Sequence, residues 1–169
     1  MWARIARYGW RRHTWGIYFS DNGRFWGEHH LRKKYAGYEE AIHVPFRMAV
    51  PGLGRRSFDE LVANIDIAPT LVDLAGDDSD HDFAGRSLVP IIRGETQSRR
   101  KDLLIEHWSV GYHYRGLRTR RWAYIHWIPT GHEELYDLRA DPYELRNIAA
   151  THPLTTARLL RRVRALASG

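Results

Sequence analysis

The sequence of 169 residues contains no cysteine. This absence excludes disulfide bonds and thiolate metal sites within the chain. The sequence also has no apolar run of about 18 residues, so no transmembrane helix is expected. Its first residues, Met1-Trp2-Ala3-Arg4-Ile5-Ala6-Arg7, lack the apolar core of a signal peptide. We therefore expect a cytoplasmic location for the chain as it stands.

Acidic residues are in the minority, with 20 Asp and Glu against 26 Lys and Arg, which gives a net charge of +6. A basic balance can indicate binding to nucleic acid or another polyanion. The sequence has no RNP, zinc-finger or homeodomain pattern, however, and its arginines are spread along the chain. We therefore expect no specific nucleic-acid partner and no membrane partner, and we assign the excess charge to solvated surfaces.

The first part of the chain has the pattern of an α/β protein. The stretch Thr14–Ser20 is apolar on both faces, which predicts a buried strand of a parallel sheet. Another short strand is expected over Pro45–Val50, and Phe58–Ile65 is compatible with either strand or helix. A helix is predicted over Ile67–Leu74, with Asp66 as its N-cap.

The second part of the chain has a different pattern. Four strand-like segments separated by turn residues predict a small antiparallel sheet; they are Leu103–Trp108, Tyr114–Thr119, Trp122–Trp127 and Glu134–Leu138. A final amphipathic helix is expected over Leu154–Ala167, and the commonest role of such a helix is to dock on its own domain.

A strand that ends at Ser20-Asp21-Asn22-Gly23 is the first candidate for a functional site. In open α/β sheets, ligands bind at the carboxyl ends of strands. A carboxylate and an amide oxygen side by side suit a hard divalent cation such as calcium or magnesium. Asn-Gly and Asp-Gly are also common turn residues, and on spacing alone the turn is the stronger interpretation.

An ordered series of further motifs changes this weighting. The series comprises Gly27-Glu28-His29, Lys34, Tyr38-Glu39-Glu40, His43-Val44-Pro45, Asn64 to Gly76, Gly85-Arg86-Ser87-Leu88, Glu134 to Leu138, Asp141-Pro142-Tyr143-Glu144 and Asn147-Ile148-Ala149. In this order and spacing, the chain from about Trp10 to Ala149 resembles the carboxyl-terminal part of a sulfatase of the alkaline-phosphatase-like superfamily.

The resemblance implies a fold and a division of the chain. Residues 1–98 would form the carboxyl part of the catalytic α/β sandwich, with a mixed sheet and flanking helices. Residues 99–169 would form the small four-stranded antiparallel subdomain with the terminal helix. The implied activity is the hydrolysis of sulfate esters, with a small sulfated molecule or a sulfated glycan as substrate.

The resemblance also implies the site residues. Asp21 and Asn22 would be metal ligands, for calcium in most family members, although oxygen ligands also suit magnesium. Lys34 would contact the sulfate, because alignment on both flanks selects it over Lys33. His29 is a candidate proton donor to the leaving group, or a residue that structures or lines the loop.

Two departures from the family pattern limit these expectations. Sulfatases use a formylglycine made from Cys or Ser in a C/S-x-P-x-R motif, and the chain has no cysteine and only wrongly spaced residues from Ser87 to Arg93. We therefore expect the nucleophile and the first acidic ligands in a missing amino-terminal segment, and weak metal binding without turnover for this chain alone. His43 stands where an arginine is usual, which removes any contact that the arginine makes.

Two other functions stay open. A phosphonate or phosphate ester hydrolase of the same superfamily shares the Asp-Asn metal site and can share the nucleophile. A non-catalytic remnant that binds an anionic partner through its arginines is the alternative from a different class, and salt-dependent affinity for heparin or nucleic acid would favour it.

Overall fold

The structure is a computed structural model that describes residues 1–77, 79, 81–95, 100–109 and 111–168. Its α-helices are α1 (Trp2–Arg7), α2 (Glu39–Ile42), α3 (Ile67–Leu74), α4 (Val89–Arg93) and α5 (Pro153–Ala167). Its strands are β1 (Gly16–Phe19), β2 (Phe25–Trp26), β3 (Arg32–Lys33), β4 (Phe46–Ala49), β5 (Asp102–Ser109), β6 (Tyr112–Thr119), β7 (Trp122–Trp127) and β8 (His132–Asp137). Short 3-10 turns cover Trp10–Arg12, Glu28–His30 and Asn64–Asp66.

The four-stranded sheet β5-β6-β7-β8 is antiparallel throughout, as the sequence predicts. Side chains alternate between its two faces, so each strand contributes to two hydrophobic clusters. On one face Tyr114, Ile125 and Tyr136 pack against the segment from Phe25 to Ala41. On the other face Leu117, Tyr124 and Leu135 pack against Leu159 and Val163 of α5. The terminal helix therefore docks on its own domain, as expected.

The segment that covers the first face is held close to the sheet by a glycine. A Cβ atom on Gly37 would lie 2.9 Å from the ring of Tyr114, closer than real Cβ contacts. Tyr38, which follows it, is 8% exposed and belongs to the same cluster. The sheet thus fixes the start of α2, to which the loop carrying Asp21 and Asn22 is anchored.

The prediction for the first strand is wrong in its pairing and burial. β1 pairs antiparallel with β4, and Gly16 faces Ala49 in register. Tyr18 is 68% exposed and Phe19 43% exposed, so this strand is not buried. Within the described residues β4 is its single hydrogen-bonded neighbour, and apolar residues on both faces cannot be covered by one short partner strand.

Two smaller predictions also need correction. Residues 58–63 form no regular helix or strand. Asp66 does not cap α3 through its side chain. Its buried carboxylate instead binds Arg100 through two hydrogen bonds of 2.5 and 2.6 Å and accepts the backbone N–H groups of Ala63 and Arg86. The bounds predicted for α3 are nevertheless confirmed.

The division of the chain at residue 98 stays a prediction. Its boundary falls among residues 96–99, which lie outside the described part of the chain. The predicted acidic loop at 77–82 likewise includes residues 78 and 80, which are not described. In the part of the chain that the structure describes, every helix is too short or too polar to span a lipid bilayer.

Candidate functional site

Asp21 and Asn22 lie in the turn that follows β1, as the sequence predicts. The Ser20 hydroxyl donates a hydrogen bond to the Asn22 carbonyl oxygen at 2.8 Å. The side-chain amide nitrogen of Asn22 donates to the Gly23 carbonyl oxygen at 2.7 Å. These two bonds fix the turn and leave Oδ1 of Asn22 as the side-chain atom free to accept a further partner.

Lys34 provides that partner. Its ammonium nitrogen lies 2.5 Å from Oδ1 of Asn22 and 3.9 Å from Oδ2 of Asp21. The structure therefore brings together three of the four site residues that the sequence singles out. The Lys34 side chain is 51% exposed and that of Asp21 is 81% exposed, so solvent weakens their attraction to about 1 kcal/mol or less. A ligand could separate this lysine from its partners at little cost.

The loop that carries Asn22 is anchored to α2 by a close backbone contact. The Gly23 N–H donates to the Ala41 carbonyl oxygen at 2.8 Å. A Cβ atom at position 23 would lie 1.9 Å from the carbonyl oxygen of Glu40. Only glycine allows this approach, so Gly23 sets the position of Asp21 and Asn22 relative to the helix.

His29 lies in a different environment. Its ring stacks on Tyr38 at a centroid distance of 4.1 Å, and its Nε2 atom lies 3.3 Å from Oε2 of Glu40. The side chain is only 11% exposed, and its backbone has a left-handed φ of 50°. Among the described residues, no hydrogen bond or ion pair joins His29 to Asp21 or Lys34.

Glu144 enters the neighbourhood of His29 from the far end of the chain. The residue is 1% exposed, and its Oε2 atom accepts the backbone N–H of Glu39 at 2.7 Å. Burial raises the pKa of the Glu144 carboxyl to about 8, and the charges of Glu39 and Glu40 act in the same direction. In the sequence, Glu144 belongs to the turn motif Asp141-Pro142-Tyr143-Glu144, and no local pattern predicts this contact.

Glu39 links α2 to the four-stranded sheet. Its carboxylate accepts hydrogen bonds of 2.6 and 3.0 Å from the guanidinium of Arg118, and it lies 3.0 Å from Nδ1 of His43. The side chain of His43 is 74% exposed. Arg118 is thus committed to Glu39, which leaves the adjacent Glu40 and Glu144 to other partners.

A second buried carboxylate, Glu134, lies under the same segment. It accepts hydrogen bonds from the hydroxyls of Tyr38 and Tyr136, both at 2.8 Å, and from the indole N–H of Trp127 at 2.7 Å. Burial raises the pKa of both tyrosines, and the charge of Glu134 raises it further. Alternation in β8 places Glu134 on the same face as Tyr136, which is the sequence signal that could have revealed it.

The donor set near Lys34 can be compared with the needs of a divalent cation. Calcium takes six to eight oxygen ligands, and magnesium takes six. Asp21 and Asn22 offer hard oxygen atoms of the right kind, and both are accessible from solvent. They fit as part of such a shell but do not complete it.

Comparison with known protein sequences matches this chain to sulfatases. A family model described as “N-sulphoglucosamine sulphohydrolase, C-terminal” matches residues 27–166. A Δ4,5-hexuronate-2-O-sulfatase of Bacteroides thetaiotaomicron is 34% identical over 148 residues, which cover 82% of this chain and 31% of that protein. An N-acetylglucosamine-6-O-sulfatase of the same species is 35% identical over 144 residues, covering 78% of this chain and 26% of that protein. The chain thus spans between a quarter and a third of the length of these relatives.

Solved structures agree with the sequence comparison. The structure of BT4656 in complex with its substrate D-glucosamine-2-N,6-O-disulfate superposes with a TM-score of 0.85 at 26% identity, covering 98% of this chain and 36% of the other. The phosphonate monoester hydrolase of Agrobacterium radiobacter gives a TM-score of 0.81 at 26% identity, covering 98% and 38%. The chain therefore belongs to the sulfatase family of the alkaline-phosphatase-like superfamily, of which it represents the carboxyl-terminal part.

Proposed function

We propose that this chain supplies one side of the active site of a sulfatase that acts on sulfated sugars. The observation that carries the proposal is the convergence of Lys34 with Asp21 and Asn22 at the end of β1. Similarity to a hexuronate sulfatase and an N-acetylglucosamine sulfatase supports a sulfated glycan, or a small sulfate ester, as substrate.

Lys34 is the proposed sulfate contact. Hydrolysis of a sulfate ester places negative charge on the leaving oxygen, and a nearby cation lowers the energy of that state. The Lys34 ammonium is a compact charge on a half-exposed side chain, so it can turn from Asn22 towards an anion without leaving the loop.

Asp21 and Asn22 are the proposed metal ligands. They would hold a divalent cation, calcium in our proposal and magnesium as the alternative, through one carboxylate and one amide oxygen. When bound, such a cation supplies Lewis-acid stabilisation of the sulfate oxygens. Lys34 would then leave Oδ1 of Asn22, because the ammonium and the cation cannot share that oxygen at close range.

The 169-residue chain alone should not turn over substrate. It contains neither a cysteine nor a correctly spaced Ser-x-Pro-x-Arg motif from which a formylglycine could be made, and Asp21 and Asn22 leave most of a calcium shell unfilled. Residues outside this sequence would have to contribute the nucleophile and the other ligands. Tight calcium binding together with sulfate release by this chain would contradict the proposal.

His29 is proposed to position the loop, with proton donation as the alternative. Its Nε2 atom is directed at Glu40 and its ring is stacked on Tyr38, so it is held inside the protein. A proton donor must come within hydrogen-bond reach of the leaving oxygen. The geometry of His29 therefore favours a structural role for this residue over a catalytic one.

A phosphonate or phosphate ester hydrolase is the second candidate activity. The TM-score of 0.81 at 26% identity with the Agrobacterium enzyme is the observation that favours it. A non-catalytic anion-binding role has less support, because many arginines are already paired with carboxylates. Such pairs are Arg100–Asp66, Arg115–Glu106, Arg118–Glu39, Arg120–Asp59, Arg121–Asp137 and Arg162–Asp102.

A chimera tests the proposed function. This chain would replace the matching carboxyl-terminal part of the Bacteroides thetaiotaomicron hexuronate sulfatase, with folding checked by circular dichroism. We expect release of sulfate from an aryl sulfate ester, at a higher kcat/KM than cleavage of a matched aryl phosphonate monoester. A reversed preference would favour the phosphonate hydrolase, and a folded chimera that cleaves neither ester would contradict both.

A further inference from the structure

Three side chains from separate segments converge beside Tyr38. His29 comes from the turn after β2, Glu40 from α2, and Glu144 from the turn after β8. One potential ligand atom of each lies within 4.8 Å of the others. None of these residues belongs to the group formed by Asp21, Asn22 and Lys34.

The converging atoms are buried and lack hydrogen bonds. Nε2 of His29, Oε2 of Glu40 and Oε1 of Glu144 are all inaccessible to solvent and have no hydrogen-bond partner among the described residues. The distance of 3.3 Å between His29 and Glu40 does not have hydrogen-bond geometry. Buried polar atoms without a partner are costly and rare, so three together call for an explanation.

Glu144 is the strongest single indication of a ligand. It is 1% exposed, and one oxygen is fixed by the Glu39 N–H at 2.7 Å while the other faces the cluster unpaired. Its backbone has a left-handed φ of 52°, as His29 has one of 50°. Arg118 is engaged by Glu39 through two hydrogen bonds.

We propose that His29, Glu40 and Glu144 form a binding site for a transition-metal cation of the Zn²⁺ type. Imidazole nitrogen and carboxylate oxygen are both zinc ligands, and three protein ligands leave the fourth position of a tetrahedral site for water. In a tetrahedral zinc site, neighbouring ligand atoms lie roughly 3.3 Å apart, so the observed separations of up to 4.8 Å need only small side-chain movements. Calcium fits less well, because it prefers more ligands and oxygen alone.

The surroundings hold the three ligands in place. The His29 ring is stacked on Tyr38 and meets Phe25 edge-on at 6.2 Å. Glu144 is oriented by Glu39, which Arg118 holds in turn. Such hydrogen bonds behind the ligands fix their orientation in metal sites. The side chain of Glu40 is 23% exposed, so a cation can enter from that side.

A bound cation would connect parts of the chain that are far apart in sequence. It would clamp the Gly27–Ile42 segment, which carries Lys34, to the turn that ends at Glu144. It would also give a partner to the buried atoms of His29, Glu40 and Glu144 that have no hydrogen bond among the described residues. The proposed role is therefore structural and independent of the sulfatase activity.

Zinc titration of the untagged, metal-free chain tests the proposal by calorimetry and thermal melting. We expect one Zn²⁺ per chain and a rise in Tm of about 5–10 °C, because the cation binds the folded state. Glu144→Gln and His29→Gln should weaken binding by about 100-fold or more and abolish the Tm rise. Glu40→Gln should have the same effect on zinc binding and on Tm. Because Glu40 is partly exposed, this variant serves as the test if a more buried variant fails to fold.

Matched controls separate this site from adventitious binding by other residues. His13→Gln removes an exposed histidine, Glu106→Gln removes an exposed carboxylate, and Asp21→Asn alters the proposed calcium ligand. All three should keep one tight zinc site. Absence of stoichiometric zinc binding in the parent chain, or tight binding retained in folded Glu144→Gln or Glu40→Gln, would overturn the proposal.

Discussion

The ammonium nitrogen of Lys34 lies 2.5 Å from Oδ1 of Asn22, although the two residues are 12 positions apart in sequence. Between them the chain forms β2, a 3-10 turn and β3, so that the end of β3 returns to the end of β1. A cationic group and two oxygen donors thus share one solvent-accessible edge. This arrangement is suited to binding an oxyanion and a divalent cation side by side.

The two adjacent lysines provide a direct test of the sulfate contact. In the chimera with the Bacteroides enzyme, Lys34→Ala should lower kcat/KM for an aryl sulfate by about 100-fold or more, because a charge that stabilises the transition state is lost. Lys33→Ala is the control, since the Lys33 ammonium lies near Tyr35 and not near Asn22. Equal activity in the two variants would show that Lys34 does not contact the sulfate.

Gly23 should be intolerant of a side chain. Gly23→Ala places a Cβ atom 1.9 Å from the Glu40 carbonyl oxygen, so the loop or α2 must move. We expect a loss of about 2 kcal/mol or more in the free energy of unfolding, measured by urea denaturation. Gly54→Ala is the control, because its Cβ meets nothing within 4 Å, and its effect should stay within about 0.5 kcal/mol. Equal losses would show that the close contact is not made.

The buried tyrosines predict a fall in stability at alkaline pH. Burial raises the pKa of Tyr38, Tyr124 and Tyr136, and that of Tyr114 to about 12. A raised folded-state pKa means that the unfolded chain releases these protons first. The stabilising effect is thus complete below the unfolded pKa of about 10 and is lost as the pH rises through the folded-state values.

Phenolate absorbance and urea denaturation at several pH values measure this effect. The buried tyrosines should ionise together with unfolding, while exposed tyrosines ionise without it. Tyr136→Phe removes one of these ionising groups. Above pH 10, the slope of the free energy of unfolding against pH should therefore become shallower by up to about 1.4 kcal/mol per pH unit. A stability that stays constant from pH 9 to the point of unfolding would contradict the burial of these hydroxyls.

The part of the fold that the sequence predicts well is the part whose contacts are local. β7 is observed over Trp122–Trp127 and α3 over Ile67–Leu74, both as predicted. Each combines a clear periodicity with flanking turn residues, and each finds its partners within the chain. β1 was predicted as buried because Ile17, Tyr18 and Phe19 are all apolar, but burial depends on neighbouring strands, which periodicity cannot supply.

The candidate site likewise has residues that the sequence predicts and residues that it does not. Asp21, Asn22 and Lys34 were identified from the motif order of a known family, and the structure brings them together. The cluster of His29, Glu40 and Glu144 was not identified, because Glu144 lies more than 100 residues beyond Glu40. No local pattern reports a contact over that separation. The turn motif at Asp141-Pro142-Tyr143-Glu144 gave no indication that its last side chain points inward.

Exposed aromatic residues around β1 predict association of the isolated chain. Tyr18 is 68% exposed, Trp26 79% and Trp10 60%, and within the described residues β1 has one paired edge only. Apolar patches and open strand edges favour contact between molecules. Sedimentation velocity should show concentration-dependent association, which Tyr18→Lys should reduce. A monodisperse monomer that melts cooperatively would contradict this prediction.

An NMR titration of the 169-residue chain with calcium chloride tests whether Asp21 and Asn22 are metal ligands. We expect weak, saturable binding with a Kd on the order of 10⁻³ M or higher, because Asp21 and Asn22 form only part of a calcium shell. The shifts should centre on the Asp21 backbone amide and the Asn22 side-chain amide, and they should vanish in Asp21→Ala. Unchanged Asn22 signals at saturating calcium, or shifts that persist in Asp21→Ala, would contradict the assignment of these two residues as metal ligands.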